Sequence, residues 1–155
     1  IKICKKNVDF LINSGCKLIV IACHTATTNS ISYLRQNYKI PFIGIEPAIK
    51  PAALNTKTGK IGVLATKGTL GSNLFEKTST LPGQNIEIIE KQVNGLVELI
   101  EKGIFSGSKI DILLEKYITP MINIGIDKLV LGCTHYPLVI NSIEKITKKT
   151  IEVIE

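Results

Sequence analysis

Two segments of the sequence, 110 positions apart, repeat one pattern that constrains the fold more than any other feature. The first runs through Gly15 and an aliphatic stretch to Cys23, and the second runs through Gly125 and an aliphatic stretch to Cys133. Glycine commonly ends a helix, and a short aliphatic run after it is typical of a buried strand. The pattern therefore predicts helix, strand, cysteine loop and helix twice, either by duplication or by convergence on one geometry.

The rest of the chain alternates strand-like and helix-like stretches in the same way, which predicts an α/β fold. Apolar residues make up 45% of the sequence, and this aliphatic richness suits parallel strands buried beneath helices. We predict strands over residues 17–22, 41–45, 60–65, 86–89, 128–132 and 150–154. We predict helices over residues 5–13, 28–37, 72–78, 96–102, 109–123 and 138–148.

The segment from Glu46 to Gly59 is the strongest candidate for a domain boundary. Pro47 and Pro51 lie in it, and a polar stretch follows over residues 55–59, so we predict a loop there. The boundary divides the chain into a first domain over residues 1–46 and a second over residues 47–153.

Charge and hydropathy argue against two other classes of protein. The formal net charge is +6, but the lysines are scattered without interleaved aromatic residues, so no nucleic-acid-binding surface is predicted. The longest aliphatic run, residues 18–23, is too short to cross a bilayer, and no signal-peptide pattern is present. We therefore expect a soluble cytosolic protein that does not bind a membrane.

Cys23 and Cys133 are the strongest candidates for catalytic residues. Sites in open α/β sheets form at the carboxyl ends of strands, where both cysteines are predicted to stand. The N-terminus of the following helix stabilises a thiolate, so we expect a lowered thiol pKa there. Two thiols facing one ligand from opposite sides would allow racemisation, in which one base removes a proton and an acid returns one to the other face. Cys4 and Cys16 have apolar neighbours and are better explained as packing residues.

Hydroxyl and imidazole groups lie close to these positions. Four threonines are predicted at strand ends or in the loops that follow, namely Thr25, Thr66, Thr69 and Thr134. Such hydroxyls, with main-chain N–H groups, can hold carboxylates, although threonines in loops are also ordinary turn residues. The two histidines, His24 and His135, stand one and two residues from the cysteines. His135 is placed to exchange a proton with Cys133 or with an amino group.

Other chemistries receive less support from the sequence. A zinc site built from the two cysteines and two histidines would lack the compact spacing of a metal knuckle, so no metal is predicted. There is no C-x-x-C, P-loop or G-x-G-x-x-G, which argues against a thiol–disulfide enzyme and a nucleotide cofactor. A binding domain without catalysis stays open, and replacing either cysteine would then leave its function intact.

The segments around the cysteines resemble the signature segments of the glutamate racemases, in the aspartate/glutamate racemase superfamily. The resemblance rests on IACHTAT at residues 21–27, LGCTHYPL at 131–138, GIEPAIKPA at 44–52 and ATKGT at 65–69. Aspartate racemases tend to carry an acidic residue where His135 stands, so they are the alternative rather than the first choice. The resemblance spans nearly the whole chain.

This resemblance implies a fold, a reaction and roles for residues. The fold would comprise two α/β domains of three layers, each with a parallel sheet, related by a pseudo-twofold axis around the active site. The reaction would be racemisation of L-glutamate and D-glutamate without pyridoxal phosphate or another cofactor, supplying D-glutamate for peptidoglycan. Cys23 would take the α-proton from D-glutamate and Cys133 from L-glutamate, with His135 assisting Cys133. The implied substrate contacts are His24, Thr25, Thr66 and Thr134.

The chain departs from the family pattern at two places. His24 stands where the family commonly has Asn, and its imidazole would replace the amide as a donor. The family's N-terminal strand ends in an Asp-Ser pair that assists the first cysteine, and neither this strand nor the Tyr-Gly loop after it is in the chain. A C-terminal stretch is also missing. We therefore expect an incomplete first domain and a fragment that is inactive alone, and a homodimer stays open.

Overall fold

The computed structural model describes residues 1–75 and 86–155, and these form an α/β fold with parallel strands. The strands are β1 (Ile19–Ile21), β2 (Phe42–Gly44), β3 (Lys60–Ala65), β4 (Glu87–Gln92), β5 (Lys128–Gly132) and β6 (Glu152–Ile154). The helices are α1 (Lys2–Asn13), α2 (His24–Asn37), α3 (Ile49–Asn55), α4 (Lys67–Leu70), α5 (Leu96–Glu101), α6 (Ser108–Ile124) and α7 (Ile140–Thr147). A 3₁₀ helix, η1 (Tyr136–Val139), comes directly before α7.

The strands form two sheets, and every pairing in them is parallel. In the smaller sheet β1 pairs with β2, with Val20 opposite Ile43. The larger sheet has the order β4-β3-β5-β6, with Ala65 opposite Gly132 at the end of the two central strands. The predicted α/β fold with parallel sheets is confirmed. Because parallel strands end at the same edge of a sheet, the loops that follow them are brought together.

Helices cover both faces of the larger sheet. Leu64, Leu129 and Leu131 point into a core shared with α5, α6 and α7. Ile61, Val63 and Val130 point to the other face, where they pack against α3 and Phe75. Burying each such aliphatic side chain contributes about 1.5–3 kcal/mol, so the two cores hold the central strands firmly.

The smaller sheet is covered on one face. Ile19 and Phe42 pack against α1 and α2 in a separate core that includes Val8 and Leu34. The opposite face is open, since Val20 is 53% exposed and its register partner Ile43 is 47% exposed. The division into domains at residues 46 and 47 stays a prediction.

The repeated glycines have the conformation that the pattern predicts. Gly15 follows α1 with a φ of 87°, and Gly125 follows α6 with a φ of 95°. Left-handed angles of this kind favour glycine because it has no Cβ atom. Both glycines turn the chain into the strand that leads to a cysteine, as expected.

Several helix boundaries differ from the predictions. Helix α2 begins at His24 and not at residue 28, because Cys23 is its N-cap and the threonines continue the helix. The predicted boundary loop contains α3, and Pro51 lies in its first turn, where a missing N–H costs no hydrogen bond. The helix expected over residues 138–148 begins at Ile140, after the 3₁₀ turn that contains Pro137.

The glycine-containing turn after β3 is also more regular than predicted, because Lys67–Leu70 forms one helical turn. Of the helix predicted over residues 72–78, residues 73–75 are helical, and residues 76–78 lie outside the described residues. Within the described ranges, no helix combines the length and apolar content needed to cross a membrane.

Candidate active site

Cys23 lies at the carboxyl end of β1 and is the N-cap of α2. Its thiol is free, and the residue is exposed. The extended backbone at Cys23, with a φ of −88° and a ψ of 121°, ends the strand and starts the helix within one residue. The predicted strand-end position of this thiol is therefore confirmed.

Cys133 follows β5 directly and is buried, with 8% of its surface exposed. Burial raises the pKa of the Cys133 thiol above its ordinary value, although the main-chain N–H groups of His135 and Tyr136 act in the opposite direction. A negative charge on Cys23 would raise this pKa further. The expected lowering of the pKa is wrong for Cys133, because desolvation outweighs the stabilisation of its thiolate by main-chain groups.

His135 connects Cys133 to a carboxylate. Its Nδ1 lies 3.7 Å from the Sγ atom of Cys133, and its Nε2 contacts Oε1 of Glu101. Glu101 is the last residue of α5, so the end of this helix positions the imidazole. We name Cys133, His135 and Glu101 the thiol relay.

The sequence did not reveal Glu101 as a site residue. It lies 34 positions before His135 at the end of a predicted helix, and its side chain is 65% exposed, as is usual for a surface glutamate. The only local signal was an acidic residue ahead of a glycine turn, which many surface helices share. The contact with His135 depends on how α5 packs against η1.

Three threonine hydroxyls converge between α2 and α4. Oγ1 of Thr25 lies 2.7 Å from Oγ1 of Thr66 and 3.0 Å from Oγ1 of Thr69, and the last two are 3.2 Å apart. We name these three residues the hydroxyl cluster. Thr69 is fully buried, whereas Thr25 and Thr66 are partly exposed. Thr25 and Thr66 can therefore turn their hydroxyl protons towards one anionic group, with Thr69 behind them.

The sheet register places the hydroxyl cluster beside Cys133. Thr66 follows Ala65 and Cys133 follows Gly132, and these preceding residues are partners on adjacent strands. A Cβ atom at Gly132 would lie 2.8 Å from the Cβ of Ala65, so the close approach requires glycine. Thr25 is two residues beyond Cys23, so the cluster adjoins the loops of both thiols.

His24 occupies a different environment from the other predicted site residues. It is 5% exposed, and within the described residues its Nδ1 has no hydrogen-bond partner. Burial lowers the pKa of His24, although a hydrogen bond with the main chain at Glu46 raises it. The neutral imidazole faces the segment that links the two sheets, and its expected substrate contact stays a prediction.

Thr134 is exposed beside Cys133, and its role in substrate binding also stays a prediction. The described residues contain no group of three or more His, Cys, Asp or Glu side chains arranged to hold a metal ion. The structure thus brings Thr25, Thr66 and Thr69 together in the hydroxyl cluster. It brings Cys133, His135 and Glu101 together in the thiol relay.

The chain is similar to proteins of known family. The model of the Asp/Glu/Hydantoin racemase family matches residues 2–155. A glutamate racemase of Herpetosiphon aurantiacus is 42% identical over 127 residues, which are 82% of this chain and 50% of that protein.

Solved structures show the same relationship. A glutamate racemase isoform of Bacillus anthracis superposes with a TM-score of 0.83 at 30% identity, covering 99% of this chain and 58% of the other. A glutamate racemase of Francisella tularensis, in complex with D-glutamate, superposes with a TM-score of 0.80 at 29% identity. The superposition covers 99% of this chain and 57% of the Francisella chain. The chain spans about half the length of the curated relatives it matches, including 50% of the Herpetosiphon protein. The family match over nearly the whole chain shows that this protein belongs to the Asp/Glu/Hydantoin racemase family.

Proposed function

We propose that this chain is part of a longer polypeptide, and that this polypeptide interconverts L-glutamate and D-glutamate. Cys23 and Cys133 would be the two bases, and no cofactor would be needed. The observation that carries the proposal is the position of the hydroxyl cluster, which adjoins the loops of both thiols. A carboxylate held there would bring the neighbouring α-carbon between Cys23 and Cys133. Opposed thiols around one carbon are what a two-base racemisation requires.

The thiol relay supplies a route for the proton of Cys133. If Nε2–H of His135 donates to Glu101, then Nδ1 is the lone-pair acceptor that faces the thiol. The imidazole can then take the thiol proton and leave a thiolate. Because burial raises the pKa of Cys133, this thiolate is also a stronger base, which suits a weakly acidic α-carbon.

The reaction then needs one proton on each side of the α-carbon. The thiolate of Cys133 removes the α-proton of L-glutamate, the electron pair stays on the carbon, and the thiol of Cys23 delivers a proton to the opposite face. D-glutamate reacts in the reverse order, with Cys23 as the base. Thr25 and Thr66 donate hydrogen bonds to the carboxylate next to the carbanion, where negative charge spreads. His24 and Thr134 are further proposed contacts of the substrate.

Glutamate is the proposed substrate because the relatives are glutamate racemases and one of them holds D-glutamate. The proposal includes a cytoplasmic role in supplying D-glutamate for peptidoglycan. Aspartate racemisation is the alternative, since the same two-thiol chemistry serves either amino acid. The 155-residue chain alone is proposed to be inactive, because one face of its smaller sheet is open and water would enter the site.

The test is to assay the longer polypeptide and the 155-residue chain side by side with both enantiomers of glutamate and aspartate, after exhaustive dialysis. We expect the longer polypeptide to racemise glutamate faster than aspartate without added cofactor, and the short chain to be about 10²–10⁴-fold slower. Activity that requires pyridoxal phosphate or a metal would contradict the two-thiol mechanism. Faster aspartate turnover would favour the alternative substrate, and equal turnover by both chains would refute the expected inactivity.

A further inference from the structure

Asn29 connects the two segments that carry the hydroxyl cluster. Its side-chain Nδ2 donates to the carbonyl oxygen of Thr25 at 2.8 Å, within α2. The same Nδ2 donates to the carbonyl oxygen of Gly68 at 2.8 Å, in the turn of α4. A carboxamide nitrogen has two N–H bonds, so Asn29 can serve both carbonyls at once.

The contact between these segments is unusually close. A Cβ atom at Gly68 would lie 2.7 Å from Cγ2 of Thr25, so a larger residue there would displace the Thr25 side chain. The carbonyl of Gly68 also belongs to the end of a four-residue helix, where carbonyls lack partners within the helix. Asn29 therefore supplies a bond that the short turn cannot make for itself.

From this geometry we infer that Asn29 is a positioning residue for substrate binding. It holds Thr25 against Thr66 and Thr69, so that the three hydroxyls are in place before a carboxylate arrives. Donors that are positioned in advance lose less entropy on binding, which strengthens affinity. The inference rests on the proposed function, because it assigns the hydroxyl cluster to the substrate carboxylate.

Asn37 offers a matched control on the same helix. Its Nδ2 donates to the carbonyl of Tyr33 at 2.8 Å, four residues earlier, as Asn29 does to Thr25. The bond of Asn37 stays within α2, whereas Asn29 also reaches α4. A role in helix stability alone predicts similar effects of replacing either asparagine, and a positioning role predicts that Asn29 differs.

The test combines kinetics of the longer polypeptide with hydrogen exchange of the present chain. We expect Asn29→Ala to raise KM for glutamate about tenfold with kcat changed less than about threefold, since binding in the ground and transition states weakens together. Asn29→Gln keeps both N–H donors and should recover part of this loss. Asn37→Ala should leave KM and kcat unchanged. Amide exchange over residues 66–72 should accelerate in Asn29→Ala and not in Asn37→Ala.

A second variant approaches the same contact from its other side. Gly68→Ala should raise KM in the same way as Asn29→Ala, because its Cβ would displace Thr25. An Asn29→Ala protein with normal KM and normal exchange over residues 66–72 would overturn the inference. Faster exchange with an unchanged KM would overturn it as well, since the bond would then hold the turn without affecting substrate. A wild-type longer polypeptide that does not racemise glutamate would instead refute the proposed function.

Discussion

The two cysteine loops share a sequence pattern but differ in their environment. Each follows a left-handed glycine and a parallel strand, with φ angles of 87° at Gly15 and 95° at Gly125. Cys23 is exposed after a strand of three residues, whereas Cys133 is buried after a strand of five residues. The local pattern therefore predicts that each thiol lies at the end of a strand. It does not predict how deeply the thiol is buried.

The difference in burial comes from the position of each strand in its sheet. Strand β5 lies between β3 and β6 with helices on both faces, so Cys133 emerges from the larger core. Strand β1 pairs with β2 alone in the described residues, and one face of this pair is open. A thiol at the end of a central strand is desolvated, which changes its acid–base chemistry.

The histidines beside the thiols differ in the same way. His135 contacts both Cys133 and Glu101, whereas His24 is turned into the protein near the main chain of Glu46. Two similar motifs thus place similar side chains in different environments. Within the described residues, Cys133 has a histidine–carboxylate contact and Cys23 has none.

Of the changes proposed here, replacing either thiol is expected to have the largest effect on the rate of racemisation. In the longer polypeptide, Cys23→Ser and Cys133→Ser should each reduce racemisation at least about 10³-fold, because a hydroxyl is a far weaker base than a thiolate. The ratio kcat/KM must fall equally in both directions, since the two enantiomers have equal free energy. Exchange of the α-proton with deuterated solvent should separate the variants.

We expect Cys23→Ser to exchange the α-proton of L-glutamate and Cys133→Ser that of D-glutamate, measured by mass spectrometry. The two variants would then identify which thiol faces which side of the substrate. Near-normal turnover in either variant would contradict two-base catalysis.

Glu101→Gln tests whether the thiol relay contributes to turnover. Loss of the carboxylate should reduce kcat/KM for glutamate by on the order of 10–100-fold, less than the 10²–10⁴-fold of a direct general base. Glu98→Gln, at an exposed position of the same helix, is the matched control and should stay within about twofold of wild type. Equal effects of both variants would indicate that helix α5, rather than its contact with His135, matters for turnover.

Thiol labelling of the present chain tests the difference in burial. At neutral pH we expect iodoacetamide to modify Cys23 at least about tenfold faster than Cys133, measured for each peptide by mass spectrometry, because access and thiolate fraction limit alkylation. Labelling of Cys133 should rise only above the ordinary pKa of a thiol, because burial raises its own pKa. Equal labelling of the two thiols would show that their environments do not differ in solution.

The same raised pKa predicts how stability depends on pH. The folded chain holds the Cys133 proton more strongly than the unfolded chain does, so this contribution to stability is complete below the ordinary thiol pKa. It is lost as pH rises through the folded-state value. Urea unfolding at increasing alkaline pH should therefore show a smaller decline for Cys133→Ala than for the wild-type chain.

Much of the fold and part of the site were predictable because their signals are local. The strands over residues 60–65 and 128–132 were predicted with their observed bounds, since each is a short aliphatic run between turn residues. The N-terminus of α2 and the helix α3 were missed, because threonines and prolines also favour turns and loops. The strand-end position of each cysteine followed from the glycine and the strand before it.

The amino-acid sequence by itself determined the α/β class, the order of the strands and the cysteine at the end of two strands. Hydrophobic periodicity and glycine caps act over a few residues, so they can be recognised without knowing the partners. Only the tertiary structure decided that Thr25 meets Thr69, 44 positions away, and that Glu101 meets His135, 34 positions away. Contacts of this range depend on how the helices pack on the sheets, and the burial of Cys133 and His24 follows from the same packing.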